Sequence, residues 1–187
     1  MFCRKWWAAA VAVALVVVVT GANYGCAPTA GLRVETVDGA EWGVHSVKRY
    51  YDSAGNLIRV ENYGVDGRLM ANSDGVAIYE AEYDGAGNRI RQEYYGADGQ
   101  LTLDSNGVAI VEFEYDGAGN RIRGENYGAD GSLSWRRESR YDSRGNLVEE
   151  KTYNADGSLY SWYEYRYDSA GNVVETRLYD AQGRLIE

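Results

Sequence analysis

Apolar and polar residues alternate with a period of two along most of the chain after about residue 45. In residues 77–83, for example, two alanines and two tyrosines fall on one side of an extended strand, and Glu80 and Glu82 fall on the other. Such alternation is typical of a β-strand with one buried face and one wet face. The alternating stretches are about seven to nine residues long, which suits ordinary strands.

Two turn motifs punctuate these stretches. The first has the form Tyr-Asp-x-x-Gly-Asn and occurs at residues 51–56, 83–88, 115–120, 141–146 and 167–172. The second begins twelve residues after each first motif, at residues 63–69, 95–101, 127–133, 153–159 and, with Gln182 in place of Asp, 179–185. Asp, Asn and Gly bond the local backbone or tolerate positive φ, so both motifs predict hairpin turns.

The motifs define a tandem repeat. Its period is 32 residues in the first units and 26 in the later ones, and the difference is a turn-like insert around residues 72–75 and 104–107. The strand after each Gly-Asn carries an aliphatic residue at one fixed place: Ile58, Ile90, Ile122, Val148 and Val174. Such registry predicts stacked units that share one core. The predicted fold class is all-β: an antiparallel meander of about ten short strands, built from tandem β-hairpin repeats, in a curved or partly wrapped sheet.

The N-terminus carries a targeting pattern. Arg4 and Lys5 precede an apolar run at residues 6–19, which has the length of a secretory signal rather than of a full membrane span. We assign residues 1–22 to a signal peptide or membrane anchor (1–25 in a lipoprotein), 26–40 to a tether and 41–187 to the repeat domain. The positive flank keeps the N-terminus cytoplasmic, so the body is expected outside the inner membrane, in the cell envelope or secreted.

Two cleavage interpretations stay open. Thr20 and Ala22 offer small residues at the −3 and −1 positions, whereas residues 24–26 resemble the end of a lipoprotein box. Cys3 lies inside the signal, so Cys26 would be the single cysteine of the mature chain and would have no intramolecular disulfide partner. Diacylation of Cys26 would use this thiol as an anchor; otherwise Cys26 is lost with the signal or follows an uncleaved anchor.

The charge of the chain limits the classes of partner that are expected. The net charge is −9, and the repeat domain is more acidic still because Arg4 and Lys5 belong to the signal. An acidic surface repels phosphate backbones and anionic lipid, so no nucleic acid is expected, and membrane contact is expected only through the N-terminal anchor or lipid. Opposite charges recur on one face of the strands, as at Arg59 and Glu61, and we interpret them as strand-pairing contacts.

Residues 139–147 (SRYDSRGNL) and 165–173 (YRYDSAGNV) are similar to the YD repeat of the Rhs family. The resemblance covers most of the chain from about residue 48. It implies a β architecture and an extracytoplasmic setting, since such repeats form long sheets that curl into a shell, and repeats of this kind have been described as carbohydrate-binding. Asn follows the Gly where the family usually has Arg, and the chain is too short to enclose a cargo, so encapsulation is not carried over.

Candidate catalytic and metal-binding residues are few. His45 is the single histidine, and no nucleophile motif accompanies it, so no enzyme is predicted. Carboxylates recur in every unit at turn or outer-face positions, which indicates a structural role and disfavours a hydrolase. Residues 104–107 resemble the beginning of a calcium loop, but Tyr115 stands where the bidentate Glu is needed, so neither a metal nor a cofactor is predicted.

The first functional hypothesis is an exported, non-catalytic interaction module that binds a protein or glycan of the cell surface. A binding site should break the repeat pattern on one exposed face, and Trp135, Tyr160 and Trp162 are the candidate ligand-binding residues. Packing within the sheet is the alternative interpretation of these aromatic residues. The second hypothesis is a structural component of the envelope or a fragment of a larger Rhs-like assembly.

Overall fold

The structure is a computed structural model that describes residues 17–18, 32–38 and 44–186. Cys26, nearly all of the expected signal segment and part of the expected tether lie outside the described residues. Within the described residues, no helix is long and apolar enough to cross a membrane.

All regular structure in the described residues is β-strand. The twelve strands are β1 (Val17–Val18), β2 (Arg33–Asp38), β3 (Ser46–Tyr51), β4 (Leu57–Tyr63), β5 (Ile78–Tyr83), β6 (Arg89–Tyr95), β7 (Ile110–Tyr115), β8 (Arg121–Tyr127), β9 (Leu133–Tyr141), β10 (Leu147–Asn154), β11 (Leu159–Tyr167) and β12 (Val173–Tyr179). Each strand pairs antiparallel with its neighbours in sequence, in the order β1 to β12. The predicted all-β antiparallel meander of hairpin repeats is therefore confirmed.

The aspartate of each Tyr-Asp motif holds its turn together. Asp52 Oδ1 accepts hydrogen bonds from the backbone N–H groups of Ala54 (2.9 Å) and Asn56 (2.8 Å), and its Oδ2 accepts one from Asn56 Nδ2 (2.9 Å). Gly55 has a φ of 89°, a left-handed conformation that glycine adopts without strain. The same aspartate contacts recur at Asp84, Asp116, Asp142 and Asp168. The Asn that follows the Gly is therefore a partner of the turn aspartate.

Each insert is an excursion of the chain at the strand ends that lie away from the Tyr-Asp turns. After the turn at residues 64–68, Leu69 pairs with Tyr63 and Met70 N–H donates to the Asn62 carbonyl. The chain then makes a further turn, and the Ala77 carbonyl accepts a hydrogen bond from Asn62 N–H. The second unit repeats this path, with Thr102 and Ala109 on either side of the excursion. The two excursions therefore comprise residues 71–76 and 103–108, and the prediction that each insert is a turn is confirmed.

The two faces of the sheet differ in chemistry. One face, here called the charged face, carries Arg59 and Glu61 on β4 and their counterparts on later strands; Arg59 bonds Glu61 on its own strand (2.8 Å) and Glu80 across the β4–β5 pair. The other face, here called the aromatic face, carries Tyr79, Tyr94, Phe113, Trp135, Tyr163 and Tyr165. The charged pairs are half-exposed, so each contributes at most about 1 kcal/mol.

Burial of apolar side chains is confined to the first part of the described sheet. The buried apolar residues are Val44, Val47, Val76, Ala77, Ile78, Ala81, Val108, Ala109, Ile110 and Val111. No described residue of β9–β12 is buried. Around the inserts the buried residues lie on both faces, because Ile78 and Ile110 pair with Glu61 and Glu93 of the charged face, whereas Ala81 and Val111 lie on the aromatic face. The expectation of one buried and one wet face is therefore wrong there, and it is wrong for the last four strands, where no second layer among the described residues covers the sheet.

A tyrosine hydroxyl links each unit to the one before it. The Tyr of the Tyr-Asp motif donates to the carbonyl of the residue that follows Gly-Asn in the preceding unit: Tyr83 to Leu57 (3.1 Å), Tyr115 to Arg89 (2.9 Å), Tyr141 to Arg121 (3.2 Å) and Tyr167 to Leu147 (2.7 Å). The bond is the same in long and short units, so the insert does not alter it. It joins neighbouring hairpins through a side chain in addition to the backbone ladder.

Removing one such hydroxyl should destabilise the sheet. We expect Tyr115→Phe to lower the free energy of unfolding by about 1 kcal/mol, the usual net contribution of one intramolecular hydrogen bond. Urea unfolding measures the change. Tyr160→Phe is the matched control because Tyr160 is 69 % exposed, and it should leave the midpoint unchanged. Equal midpoints for wild type and Tyr115→Phe would contradict the role of the hydroxyl.

The turn aspartates should make the protein sensitive to acid. Hydrogen bonds lower the pKa of these aspartates from the ordinary 3.8, and the bond from the Asn side chain has the largest effect, followed by those from backbone N–H groups. A lowered folded-state pKa stabilises the fold above the unfolded-state pKa, and this contribution is lost as the pH falls through the folded-state value. We expect the urea midpoint to fall steeply below about pH 4. Asp116→Asn, which does not titrate, should reduce this fall; an unchanged acid profile would contradict the assignment.

Candidate functional site: a groove on the aromatic face

The repeat pattern breaks where the inserts stop. If the inserts are set aside, Ala77, Ala109, Trp135 and Ser161 occupy equivalent places, each two residues after the Leu of the second turn motif. Ala77 and Ala109 directly follow the inserts and have no exposed surface. Trp135 has no insert before it, and its indole is half-buried beside Asn126 on the neighbouring strand. The first large side chain at this place therefore appears in the first unit without an insert.

A groove of about 380 Å³ opens at this break. The second insert contributes Asp104, Asn106 and Val108; strands β6 to β8 contribute Gln92, Tyr94, Val111, Phe113, Arg121, Arg123, Gly124 and Asn126; and β9 contributes Trp135, Arg137 and Ser139. A volume of this size lies within the range of small-molecule sites.

Gly124 leaves the ring of Phe113 open. The two residues are directly paired between β7 and β8, and a Cβ on Gly124 would lie 3.6 Å from Phe113 Cδ1. That distance is an ordinary contact, so glycine is not needed to avoid a clash. The equivalent places in other units hold side chains: Val60, Gln92, Glu150 and Thr176. The absence of a side chain at Gly124 therefore deepens the groove next to an aromatic ring.

Arginine side chains lie against the aromatic rings of this region. The Cζ atoms of Arg121 and Arg89 lie 5.1 Å and 5.5 Å from the centroid of Phe113, and the Cζ of Arg137 lies 5.6 Å from the centroid of Trp135. These distances are within the range of cation–π contacts. Arg137 Nη1 also lies 3.5 Å from Glu150 Oε2. The groove therefore combines apolar ring surfaces with guanidinium groups.

Neutral polar groups complete the lining. Gln92 and Asn126 are buried, and Gln92 Nε2 donates to the Tyr94 hydroxyl at 2.5 Å. Burial raises the pKa of Tyr94, and the negative charge of Asp104 raises it further, so the phenol keeps its proton at neutral pH.

The segment that resembles a calcium loop is a turn of the second insert. Asp104 Oδ1 accepts hydrogen bonds from the N–H groups of Asn106 (2.9 Å) and Val108 (3.0 Å), and Oδ2 accepts one from Asn106 Nδ2 (3.1 Å). The carboxylate is therefore occupied by its own loop. Across residues 44–186 and the two short described segments before them, no group of three or more His, Cys, Asp or Glu side chains is placed to hold a metal ion.

The structure brings two of the three predicted ligand-binding residues together. Trp135 and Tyr160 line a shallow depression of about 330 Å³ that shares Trp135 and Arg137 with the groove. Trp162 lies on the charged face, where its ring stacks on Tyr179 at 4.2 Å between centroids, with Lys151 Nζ 4.3 Å from the ring centroid. Trp162 is therefore a packing residue of the other face, and Cys26 lies outside the described residues.

Phe113, Arg121, Gly124 and Arg137 line or flank the groove and are not among the residues predicted from the sequence. A signal was present in the sequence for two of them, because Gly124 and Arg137 differ from every equivalent residue when the units are aligned without the inserts. Phe113 and Arg121 are less distinctive, because Tyr165 and Arg89 occupy the equivalent places in other units. What the sequence did not show is that these departures meet on one face.

Part of the chain matches a known family of repeat proteins. The RHS Repeat family model matches residues 141–178. A search of the curated proteins finds no match.

Among solved structures, the chain is similar to the crystal structure of TcdB2-TccC3-TEV, at 15 % identity over 83 % of this chain and 11 % of that chain, with a TM-score of 0.33. The Photorhabdus luminescens Tc holotoxin pore with a TccC3 mutation gives 13 % identity, 83 % and 11 % coverage and a TM-score of 0.32. The crystal structure of TcdB2-TccC3 without its hypervariable C-terminal region is 18 % identical over 73 % of this chain and 8 % of that chain, with a TM-score of 0.31. This chain thus spans about a tenth of the length of those chains.

The matched segment runs from the last residue of β9 through most of β12 and contains two complete Tyr-Asp turns, at residues 141–146 and 167–172. These are the turns on which the sequence resemblance depends. The resemblance to the Rhs/YD-repeat family is therefore confirmed, and the chain carries an RHS repeat at residues 141–178.

Proposed function

We propose that this chain is an exported, non-catalytic Rhs-repeat protein that acts as an interaction module at the cell surface or in the periplasm. Its ligand, a glycan or a protein, binds in the groove of the aromatic face. Residues that break the repeat are concentrated in one place, because Gly124, Trp135 and Arg137 all line the groove, where the inserts stop. A sheet with a purely structural role has no need of such a local break.

The lining suits a saccharide better than an apolar ligand. Aromatic rings offer flat apolar surfaces for sugar rings, and amide, phenol and guanidinium groups offer hydrogen bonds to hydroxyls. Gln92, Tyr94 and Asn126 supply these neutral groups beside the rings of Phe113 and Trp135.

The carboxylates do not suit hydrolysis. Glycoside hydrolysis generally needs two carboxyl groups on opposite sides of the bond. Among the described residues that line the groove, Asp104 is the one carboxylate, and its oxygens accept hydrogen bonds from its own turn. Glu150, nearby on β10, pairs with Arg137. These contacts support a binding role without catalysis.

A structural role in a larger Rhs-like assembly is the second candidate function. Two observations favour it: the RHS repeat match at residues 141–178, and the edge position of β12, which within the described strands pairs only with β11. An edge strand offers free backbone groups to another strand.

Substitution of the two tryptophans on opposite faces tests the binding role. We expect a glycan array to identify a ligand of the full chain, and Trp135→Ala to weaken its binding about tenfold or more, because buried aromatic anchors dominate binding energy. Calorimetric titration gives the Kd values. Trp162→Ala is the matched control, since it removes the same side chain from the charged face. Equal losses from both variants, or none from Trp135→Ala, would contradict the groove as the site.

Export predicts a processed or anchored chain. Mass spectrometry of the protein from membrane and soluble fractions should find one of three forms outside the cytoplasm: an acylated Cys26 at the new N-terminus, a chain that begins near Asn23, or an intact chain held in the membrane. The first form identifies a lipoprotein and the second a released protein. An intact chain in the soluble cytoplasmic fraction would contradict export.

A further inference from the structure

The aromatic face becomes more apolar at the last two described strands. Tyr163 pairs with Leu178, and Tyr165 pairs with Thr176, across β11 and β12, so these side chains lie together on this face. The rings of Tyr163 and Tyr165 stack, with 6.3 Å between their centroids. Tyr163, Tyr165 and Leu178 thus form an apolar surface, here called the β11–β12 patch.

The repeat does not require these residues. Among the described strands, β11 alone has aromatic residues at both of its places, and Leu178 alone is aliphatic among its equivalents. The place of Tyr165 holds Ala81, Phe113 and Ser139 in other units, and the place of Leu178 holds Asn62, Tyr94, Asn126 and Thr152. The patch therefore results from substitutions that the sheet itself does not need.

In the first unit the chain covers the equivalent place with its own insert. Asn62, the equivalent of Leu178, is buried, and its Nδ2 donates to the carbonyl of Val76 in the first insert at 3.1 Å. The last two units have no insert, and no described residue of β9–β12 is buried. The place that an insert covers in the first unit is thus apolar and uncovered by described residues in the last. Exposed apolar surface of this kind favours burial against a partner.

The aromatic face of β9–β12 carries almost no charge. Arg137 and Glu150 are the charged residues that the register places there among the described strands, and they lie 3.5 Å apart as an ion pair. The face is therefore neutral in a chain whose net charge is −9. Few charges and several aromatic residues are typical of the centre of a protein interface. Two copies of an acidic chain can meet here without the repulsion that their other surfaces produce.

The area of this face is sufficient for a dimer. Its four strands are seven to nine residues long. At a spacing of about 4.8 Å between strands and about 3.3 Å between residues, they cover about 19 by 26 Å. Contact between two such faces covers about 500 Å² on each copy and about 1,000 Å² in total, which is the size at which specific interfaces begin.

We propose that a second copy of this chain packs face to face on β9–β12, with Tyr163 and Tyr165 of each copy against Leu178 of the other. Sheets that pack in this way lie about 10 Å apart, and their side chains interdigitate. The arrangement has two-fold symmetry, so each contact occurs twice. The groove lies on β6–β9 and shares only β9 with this interface, and the proposal does not depend on the ligand of the groove.

Sedimentation equilibrium over a range of protein concentrations tests the proposal. We expect the wild-type chain to show a monomer–dimer equilibrium. A variant that combines Tyr165→Ser and Leu178→Asn should weaken the dimer at least about a hundredfold, because it removes two apolar anchors from each copy. Ser139 and Asn126 already occupy the equivalent places, so the variant should keep the far-UV circular dichroism spectrum of the wild type.

Two further variants locate the contact. Trp162→Ile is the matched control, because it replaces an aromatic residue of the charged face with the residue that Ile78 and Ile110 supply at the equivalent places. It should leave the dissociation constant of the dimer unchanged. Thr152→Leu adds an aliphatic side chain to the aromatic face of β10 and should tighten the dimer at least about tenfold, since two leucines are buried in each dimer.

Three results would contradict a dimer through this face. The first is a wild-type chain that stays monomeric at every concentration. The second is a folded Tyr165→Ser, Leu178→Asn variant that dimerises as tightly as the wild type, which would assign the contact to another surface. The third is an equal loss of the dimer from Trp162→Ile, which would assign it to the charged face.

Discussion

Hydrogen bonding between neighbouring strands holds this sheet together along its whole described length. From β9 onward no described residue is buried, so apolar burial cannot hold these strands as it holds the region of the inserts. Each hairpin is instead tied to the next by the backbone ladder and by a tyrosine hydroxyl, as from Tyr167 to the Leu147 carbonyl. The turn aspartates fix the length of every hairpin, and that keeps the tyrosine in register. Stability in such an array is a sum over neighbours.

An array of this kind tolerates a local change in one repeat unit. The candidate site depends on such a change, which is the loss of the insert. The tyrosine link is the same in units with and without an insert, so a unit can lose its insert without disturbing its neighbours. Where the inserts stop, the buried Ala109 gives way to the half-buried Trp135 at the equivalent place. Gly124, Phe113 and Trp135 line the groove that opens there. The candidate site therefore lies where units with an insert are followed by units without one.

The sequence was sufficient for the parts of the fold that depend on local chemistry. Alternation and turn residues predicted the strands, the hairpins and the antiparallel order, because Asp52 and its equivalents act within five residues of chain. Exposure of β9–β12 was not predictable, since period-2 alternation shows which residues share a face but not whether another layer covers it. The separation of Trp162 from Trp135 required the register of β9, β10 and β11, and the meeting of Arg121, Phe113 and Trp135 required three strands to be placed side by side.

Removal of the second insert tests most directly whether the end of the inserts creates the site. Deletion of residues 103–108 places Ala109 two residues after Leu101, as Trp135 follows Leu133, and removes Asp104, Asn106 and Val108 from the groove. The sheet should remain folded, with a far-UV circular dichroism spectrum like that of the intact chain, because the units from β8 onward already lack an insert. Binding of the saccharide that the intact chain prefers, measured by calorimetry, should fall at least about tenfold. A folded deletion variant that binds as tightly as the intact chain would show that the groove at the change of period is not the binding site.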